Sequence, residues 1–324
     1  NEYTLDIGVI GQGQKVYVWV DGGTTAYELT GNRECAPVEP VSGQYLTFTH
    51  GETVTLEVEE VGCWSWDAWY YCDFSSDPLA DDEDFTYLGP NAQGNIEYEL
   101  VFRSDKELKG LFQKHLTVDV VVEDKIYDGT TDATIVSAPL TGISIPLPGG
   151  DVWCDFSGAT AEFDSWDVAY DGITGLVTDQ PVYIDGLFLA GTDAMFYILV
   201  DEMCGDPTDE AETDATINPL ELTYCAPGPE AVDKIYDGNS DAVITGASLC
   251  GIIDKDLDIP DDVYLVNHTM GYFSDRNVAY VDYPTDRTVI DKTVTWSPGL
   301  AGADAGNYLL PPTPTSFQAM ITPR

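Results

Sequence analysis

The side chains in this chain that could do chemistry are mostly carboxylates, and they cluster in loops. Asp77, Asp81, Asp82, Glu83 and Asp84 form one group; Asp206, Asp209 and Glu210 a second; Asp254, Asp256, Asp258, Asp261 and Asp262 a third. A hard cation needs several oxygens converging on one loop. Calcium is therefore the cofactor such groups could take, with Asp81, Asp82, Asp84, Asp254, Asp256 and Asp258 as metal ligands. None of the groups has EF-hand spacing, and a solvated acidic loop is the competing interpretation. Catalytic sets are harder to assemble. His50, His115 and His268 lie in three separate segments. There is no G-x-S-x-G, no H-E-x-x-H and no phosphate-binding loop. Gly11-Gln-Gly13 lacks a third glycine and reads as a turn. No catalytic residue is expected, and the chain is not expected to be an enzyme.

The 7 cysteines contain no C-x-x-C pair and are spread along 324 residues. That pattern suits disulfides within modules in an oxidising compartment. Cys63 and Cys72 could close a loop in the first segment, Cys154 and Cys204 both fall in the second, and Cys225 and Cys250 flank the start of the third; sequence alone leaves the connectivity open. Cys35 is left over, either free and buried or paired with another chain. Asn267-His-Thr269 is a glycosylation sequon, and Thr313–Ser316 could carry O-linked sugar. Trp64, Trp66, Trp69, Tyr70 and Tyr71 crowd between Cys63 and Cys72. They serve either as core or as an aromatic platform for a surface glycan.

Charge narrows the partners. With 13 basic and 57 acidic residues the net charge is −44. Such a surface repels nucleic acid and anionic lipid. It fits a solvated acidic shell, cation-binding clusters, or a docking face for a basic partner. No apolar run approaches membrane-spanning length, so no membrane span is expected. The chain opens at Asn1 without a leader, as a mature secreted protein would.

The elements that must hold these residues are strands, and one stretch occurs twice. Asp124-Lys-Ile-Tyr-Asp-Gly-Thr-Thr-Asp-Ala-Thr-Ile135 returns as Asp233-Lys-Ile-Tyr-Asp-Gly-Asn-Ser-Asp-Ala-Val-Ile244. Further matches follow in the same order. Phe163–Tyr170 matches Phe273–Tyr280, Gly191–Leu199 matches Gly302–Leu310, and Ala215–Pro219 matches Ala319–Pro323. The period is that of a whole β-sandwich domain. Tyr-Asp-Gly at 127–129 and 236–238 is a tight turn in which Gly supplies positive φ.

These motifs resemble the YDG-type repeat module of bacterial surface proteins and adhesins, over roughly residues 117–324. The third segment carries the fuller set: Lys234-Ile-Tyr-Asp-Gly238, Asp304-Ala-Gly-Asn-Tyr308 and Ala319-Met-Ile-Thr-Pro323. The second departs where Met195 and Phe196 replace Gly-Asn. The resemblance implies an Ig-like β-sandwich, an extracellular structural role and no catalysis. Some Ig-like surface modules also join Lys to Asn by an isopeptide bond; Lys234 and Asn307 are the pair to examine.

Residues 1–102 alternate as strands at Tyr3–Ile10, Gln14–Val20, Tyr45–Val58 (around His50-Gly51) and Ile96–Phe102, with a hairpin turn at Asp21–Gly23. Their order is similar to a divergent internalin-B-type bacterial repeat. Residues 103–116 break the pattern. Ser104-Asp-Lys-Glu107 has capping-box spacing, and Leu108, Leu111 and Phe112 fall on one helical face. A short basic linker helix follows, whose Arg103, Lys106, Lys109 and Lys114 are either solvated or contact an acidic face of another subunit.

The expected fold class is all-β: three tandem Ig-like β-sandwich modules with one short linker helix. The expected domains are 1–102, the linker 103–116, and YDG-like modules at 117–225 and 226–324. The expected function is an extracellular structural protein at the cell surface, a filament or fibre subunit whose partners are copies of itself, assembled head to tail. The alternative is an adhesin whose first domain binds glycan or protein on a two-module stalk.

Overall fold

The structure, a computed structural model, describes residues 2–11, 14–20, 25–30, 33–37, 47–71, 84–142, 151–202, 204–254, 260–312 and 317–324. Among them the regular structure is almost entirely β, as the period-two patterning predicts. The chain divides into two compact units. The first comprises 1–121, 135–160 and 184–211, the second 122–134, 161–183 and 212–324, so the segment 117–225 contributes to both.

In the first unit one sheet runs in the order Thr25–Thr30, Lys15–Val20, Thr53–Glu59, Ile96–Val101, Phe85–Pro90, with every neighbour antiparallel. The other is centred on Glu2–Ile10, which lies parallel to Lys106–Val118 in the register Leu5↔Lys106 to Ile10↔Leu111. Leu5, Ile7 and Val9 from this sheet meet Val16, Val18, Leu56, Val58 and Leu100 from the first in one core. Fully burying such an aliphatic side chain contributes roughly 1.5–3 kcal/mol. The strands expected around His50-Gly51 form, but not as a hairpin. Thr47–Thr49 pairs with Glu2–Thr4, while Thr53–Glu59 joins the other sheet. Gly51, at φ 87°, turns the corner between them. Asp21–Gly23 lies outside the described residues.

The linker helix expected at 103–116 is instead the long strand Lys106–Val118. Its Leu108–Lys114 stretch pairs with Trp64–Tyr71. Lys114–Leu116 runs parallel to Tyr197–Leu199, and Thr117–Val118 pairs with Leu140–Thr141. A central strand covered on both faces loses strict alternation, and three successive residues, Gly110, Leu111 and Phe112, are all buried. That run is what imitates helical spacing. Two of the four basic residues at 103–116 turn inward. Lys106 is buried on Asp84 at 2.7 Å, which also takes Arg103 at 2.8 Å, and Lys114 is buried.

The second unit contains a five-stranded sheet, in order Glu230–Ala231, Asp241–Thr245, Met270–Phe273, Lys292–Thr295, Phe317–Ala319. Inward positions alternate cleanly, and Ala242, Ile244, Phe273, Val294, Trp296, Phe317, Ala319 and Ile321 form its core. Strand Lys234–Ile235 runs parallel to Ile321–Thr322, as Lys125–Ile126 does to Ile217–Asn218. Only Pro219 separates Ile217–Asn218 from Leu220–Glu221, which is parallel to Tyr308–Leu309; Thr223–Tyr224 then pairs with Leu249–Cys250. One segment is thus closed and the next begun without a linker.

Candidate functional site

The repeated Lys-Ile-Tyr-Asp-Gly stretch builds the same object twice. Lys125 Nζ donates to Thr130 O (2.9 Å) and Asp132 O (2.9 Å), pairs with Asp128 (2.8 Å), and lies 5.7 Å from the Phe163 ring centroid. Lys234 Nζ donates to Asn239 O (3.0 Å) and Asp241 O (2.9 Å), pairs with Asp237 (2.9 Å), and lies 5.7 Å from the Phe273 ring centroid. Gly129 and Gly238 close the turns at φ 78° and 85°. Each lysine ties the turn following its own short strand to the next strand, with its stem on an aromatic ring. Contact with Lys234, reinforced by the Asn239 N–H, holds the Asp237 carboxyl below its usual range. At Asp128 burial acts upward, but Lys125 and Thr130 outweigh it and the net displacement is downward. Lys292 fastens a third turn, donating to Asp275 O (3.0 Å) and Asn277 O (2.8 Å).

The Tyr of the first Tyr-Asp-Gly turn does something its counterpart does not. Tyr127, 2 % exposed, donates to Asp261 Oδ2 at 2.6 Å, and Tyr308 donates to the same oxygen at 2.7 Å. The two rings meet edge-on at 5.3 Å. Tyr308 Oη also accepts the Ile253 N–H at 2.9 Å. Burial first, then the hydrogen bond to Asp261, pushes the Tyr308 phenol far up, so it stays protonated and donating. Beside this node Asn307 accepts the Val168 N–H (2.8 Å) and donates to Asp167 (2.7 Å), while Tyr170 donates to Gly306 O (2.7 Å). Asp261, Asn307 and Tyr308 of the third segment therefore grip Tyr127, Asp167 and Val168 of the second. The Asp261 bond was missed from sequence because its partner lies 134 residues away. The sequence presents Tyr127 as a turn residue packed at the sandwich edge, without its partner; the Asp304–Tyr308 repeat motif is the available clue.

The expected sites fall elsewhere. Asp84 is buried against Lys106 and Arg103, and Asp254 sits in an isolated bridge with Pro260. Asp81, Asp82, Asp256 and Asp258 lie outside the described residues, as do Cys72 and Thr313–Ser316. Among the described residues no group of three or more His, Cys, Asp or Glu could hold a metal ion. Asn307 is engaged by Asp167 and Val168, and Lys234 by its own turn, so the two are not an isopeptide pair. Asn267 is exposed at φ 54° on the rim of an open groove of about 690 Å³ lined by His268, Met270, Tyr272, Thr295 and Ser297. His115 Nε2 lies 2.7 Å from Ser65 Oγ, but the ring is buried and its Nδ1 has no hydrogen-bond partner among the described residues, so none of their carboxylates orients it as a base.

Two disulfide pairings need correction. Cys225–Cys250 forms as expected, but Cys63 is joined to Cys204, not to Cys72, and Cys154 is a buried free thiol. Strand Lys106–Val118 explains this. It pairs with Trp64–Tyr71 and with Tyr197–Leu199, which brings the loops at 63 and 204 to the same end of the sheet. Cys35 lies on strand Arg33–Pro37. Trp69 of the aromatic cluster belongs to the core, and Trp64 and Trp66 are half-buried against it. Trp69 is buried, Trp66 meets Trp69 and Phe112 edge-on at 5.2 and 5.0 Å, and Trp66 Nε1 donates to Tyr98 Oη at 3.0 Å.

The family profile described as YDG domain matches residues 218–316. The match opens at Asn218, the last residue of strand Ile217–Asn218, ahead of Ala226. No curated protein and no solved structure matches the chain. Among the described residues no helix is long and apolar enough to cross a membrane.

Proposed function

We propose that this is an extracellular structural protein, a filament or fibre subunit assembled head to tail from β modules, with copies of itself as partners. The observation that carries the proposal is the coupling between consecutive segments. One segment runs into the next through a single residue at Pro219, and the Asp261, Asn307 and Tyr308 grip then locks the two together. Such coupling transmits load and leaves little freedom at the joint, which suits a mechanical role. The second segment is read as a further YDG-type module, and residues 1–102 as an internalin-B-type repeat. The disulfides Cys63–Cys204 and Cys225–Cys250 support an oxidising, extracellular setting. The burial of Trp69, with Trp66 half-buried against the same core, favours the fibre over an adhesin whose first domain binds sugar on that cluster.

Negative-stain imaging with light scattering on the full chain, with and without a calcium chelator, tests this. Regular fibres are expected, and their loss on chelation would assign calcium to the contacts between subunits. Monodisperse monomers in both conditions would sink the fibre and put the stalked adhesin first.

A further inference from the structure

The two Tyr-Asp-Gly turns share one lysine geometry, yet their tyrosines differ in exposure. Tyr127 is 2 % exposed, whereas Tyr236 is 37 % exposed. The difference extends over the whole face. In the second segment Tyr127, Asp167 and Val168 receive Asp261, Asn307 and Tyr308. The matching positions in the third segment are Tyr236, Asn277 and Val278. Val168 is buried beneath Asn307, while Val278 is only half-buried and Asn277 is exposed.

We propose that the face formed by Tyr236, Asn277 and Val278 is a docking surface for one further β module that carries the third segment's own set: a carboxylate at the place of Asp261 and an Asn-Tyr pair at that of Asn307-Tyr308. The carboxylate would accept the Tyr236 hydroxyl. The incoming Asn would accept the Val278 N–H and bond the Asn277 amide, a neutral partner in place of Asp167. The incoming Tyr ring would meet Tyr236 edge-on. A second copy of this chain does not supply the set, because its Asp261, Asn307 and Tyr308 are already engaged with its own Tyr127, Val168 and Asp167. The proposal therefore stands apart from the homopolymer proposed above.

The test extends the full chain. Residues 220–324 are appended directly after Pro323, which stands where Pro219 stands in Ala215–Pro219. Nitration of Tyr236 by tetranitromethane is then followed by peptide mass spectrometry, with Tyr127 as the protected reference. The extended protein should show Tyr236 nitrated at least about tenfold more slowly than the parent, as a buried group opening only by local unfolding would be. Replacing the appended copy's Asp261 and Asn307 equivalents by Ala should restore the parent rate. Unchanged reactivity in the extended protein overturns the proposal, whether or not the appended copy forms its own Cys225–Cys250 disulfide, since the parent's third segment folds in that same register. Protection of Tyr236 that grows with the concentration of the unextended parent would also overturn it, by making the occupant a second copy. Imaging the parent for fibres reads the homopolymer separately.

Discussion

At the scale of single residues the chain spends its scarce cations inside itself. Lys106, Lys125, Lys234 and Lys292 each serve a carboxylate, and the last three also satisfy backbone carbonyls. Lys234→Met keeps the apolar stem on Phe273 but removes the donors to Asn239 and Asp241 and the ion pair with Asp237. Because the site is partly open, the expected loss is roughly 1–2 kcal/mol in urea unfolding of the second unit. The pH dependence follows from the depressed carboxyls of Asp237, Asp128 and Asp275. A carboxyl whose folded pKa lies below its unfolded value, about 3.9 for Asp, contributes stability that is present above that value and lost as pH falls through the folded pKa. The unfolding midpoint should therefore fall steeply in acid below about pH 4, and the Met variant should show a shallower fall. An identical acid profile in the two proteins would remove Asp237 from the account.

At the scale of elements the strand Lys106–Val118 decides the first unit, and Gly110 is its tightest point. A Cβ there would lie 3.1 Å from Trp66 Cζ3 and 3.2 Å from Trp69 Cζ3. Gly110→Ala should cost about 1–3 kcal/mol by overpacking and disturb the near-ultraviolet dichroism of the tryptophans. Gly158→Ala, which opens onto free space, should be close to neutral. The contact is crowded because Trp66 and Trp69 both turn inward. Strict alternation would put them on opposite faces, but Leu111 pairs with Ala68 and Phe112 with Trp66, so Asp67 is an extra residue that resets the alternation. This limited what could be read from sequence. Strands with one buried face, such as Lys15–Val20 or Asp241–Thr245, were legible because their period is clean. Lys106–Val118 was not, since burial on both faces erased the alternation and Ser104–Glu107 imitated a capping box. The lysine turns were half-legible. Repetition marked Lys125 and Lys234 as special, while their bonding to backbone carbonyls needed the fold. The Asp261 node was illegible at its own position, where the residue reads as one more acid in an acidic loop.

At the scale of the whole molecule, internal use of the cations leaves the exterior dominated by carboxylates, and a net charge of −44 makes copies of the chain repel at low salt. Covalent ties counter the strain that such repulsion puts on each unit, and the two disulfides should do so unequally. Cys63 and Cys204 are separated by 141 positions and Cys225 and Cys250 by 25. Chain entropy alone assigns the longer closure about 5 kcal/mol and the shorter about 3–4, with measured values commonly between 2 and 5. The longer tie also fastens strand Trp64–Tyr71 to the loop after Tyr197–Leu199, on either side of Lys106–Val118. Two units with separate cores need not unfold together, so two transitions are expected. Trp69 reports the first unit and Trp296 the second, since each packs in its own unit's core. Cys63→Ser with Cys204→Ser should lower the first unit's transition by 2–5 kcal/mol and leave the second in place. Cys225→Ser with Cys250→Ser should do the reverse, by less. Equal shifts of both transitions in either variant would mean that the units unfold as one body and that the strand-borne division of the core does not survive as a division of stability.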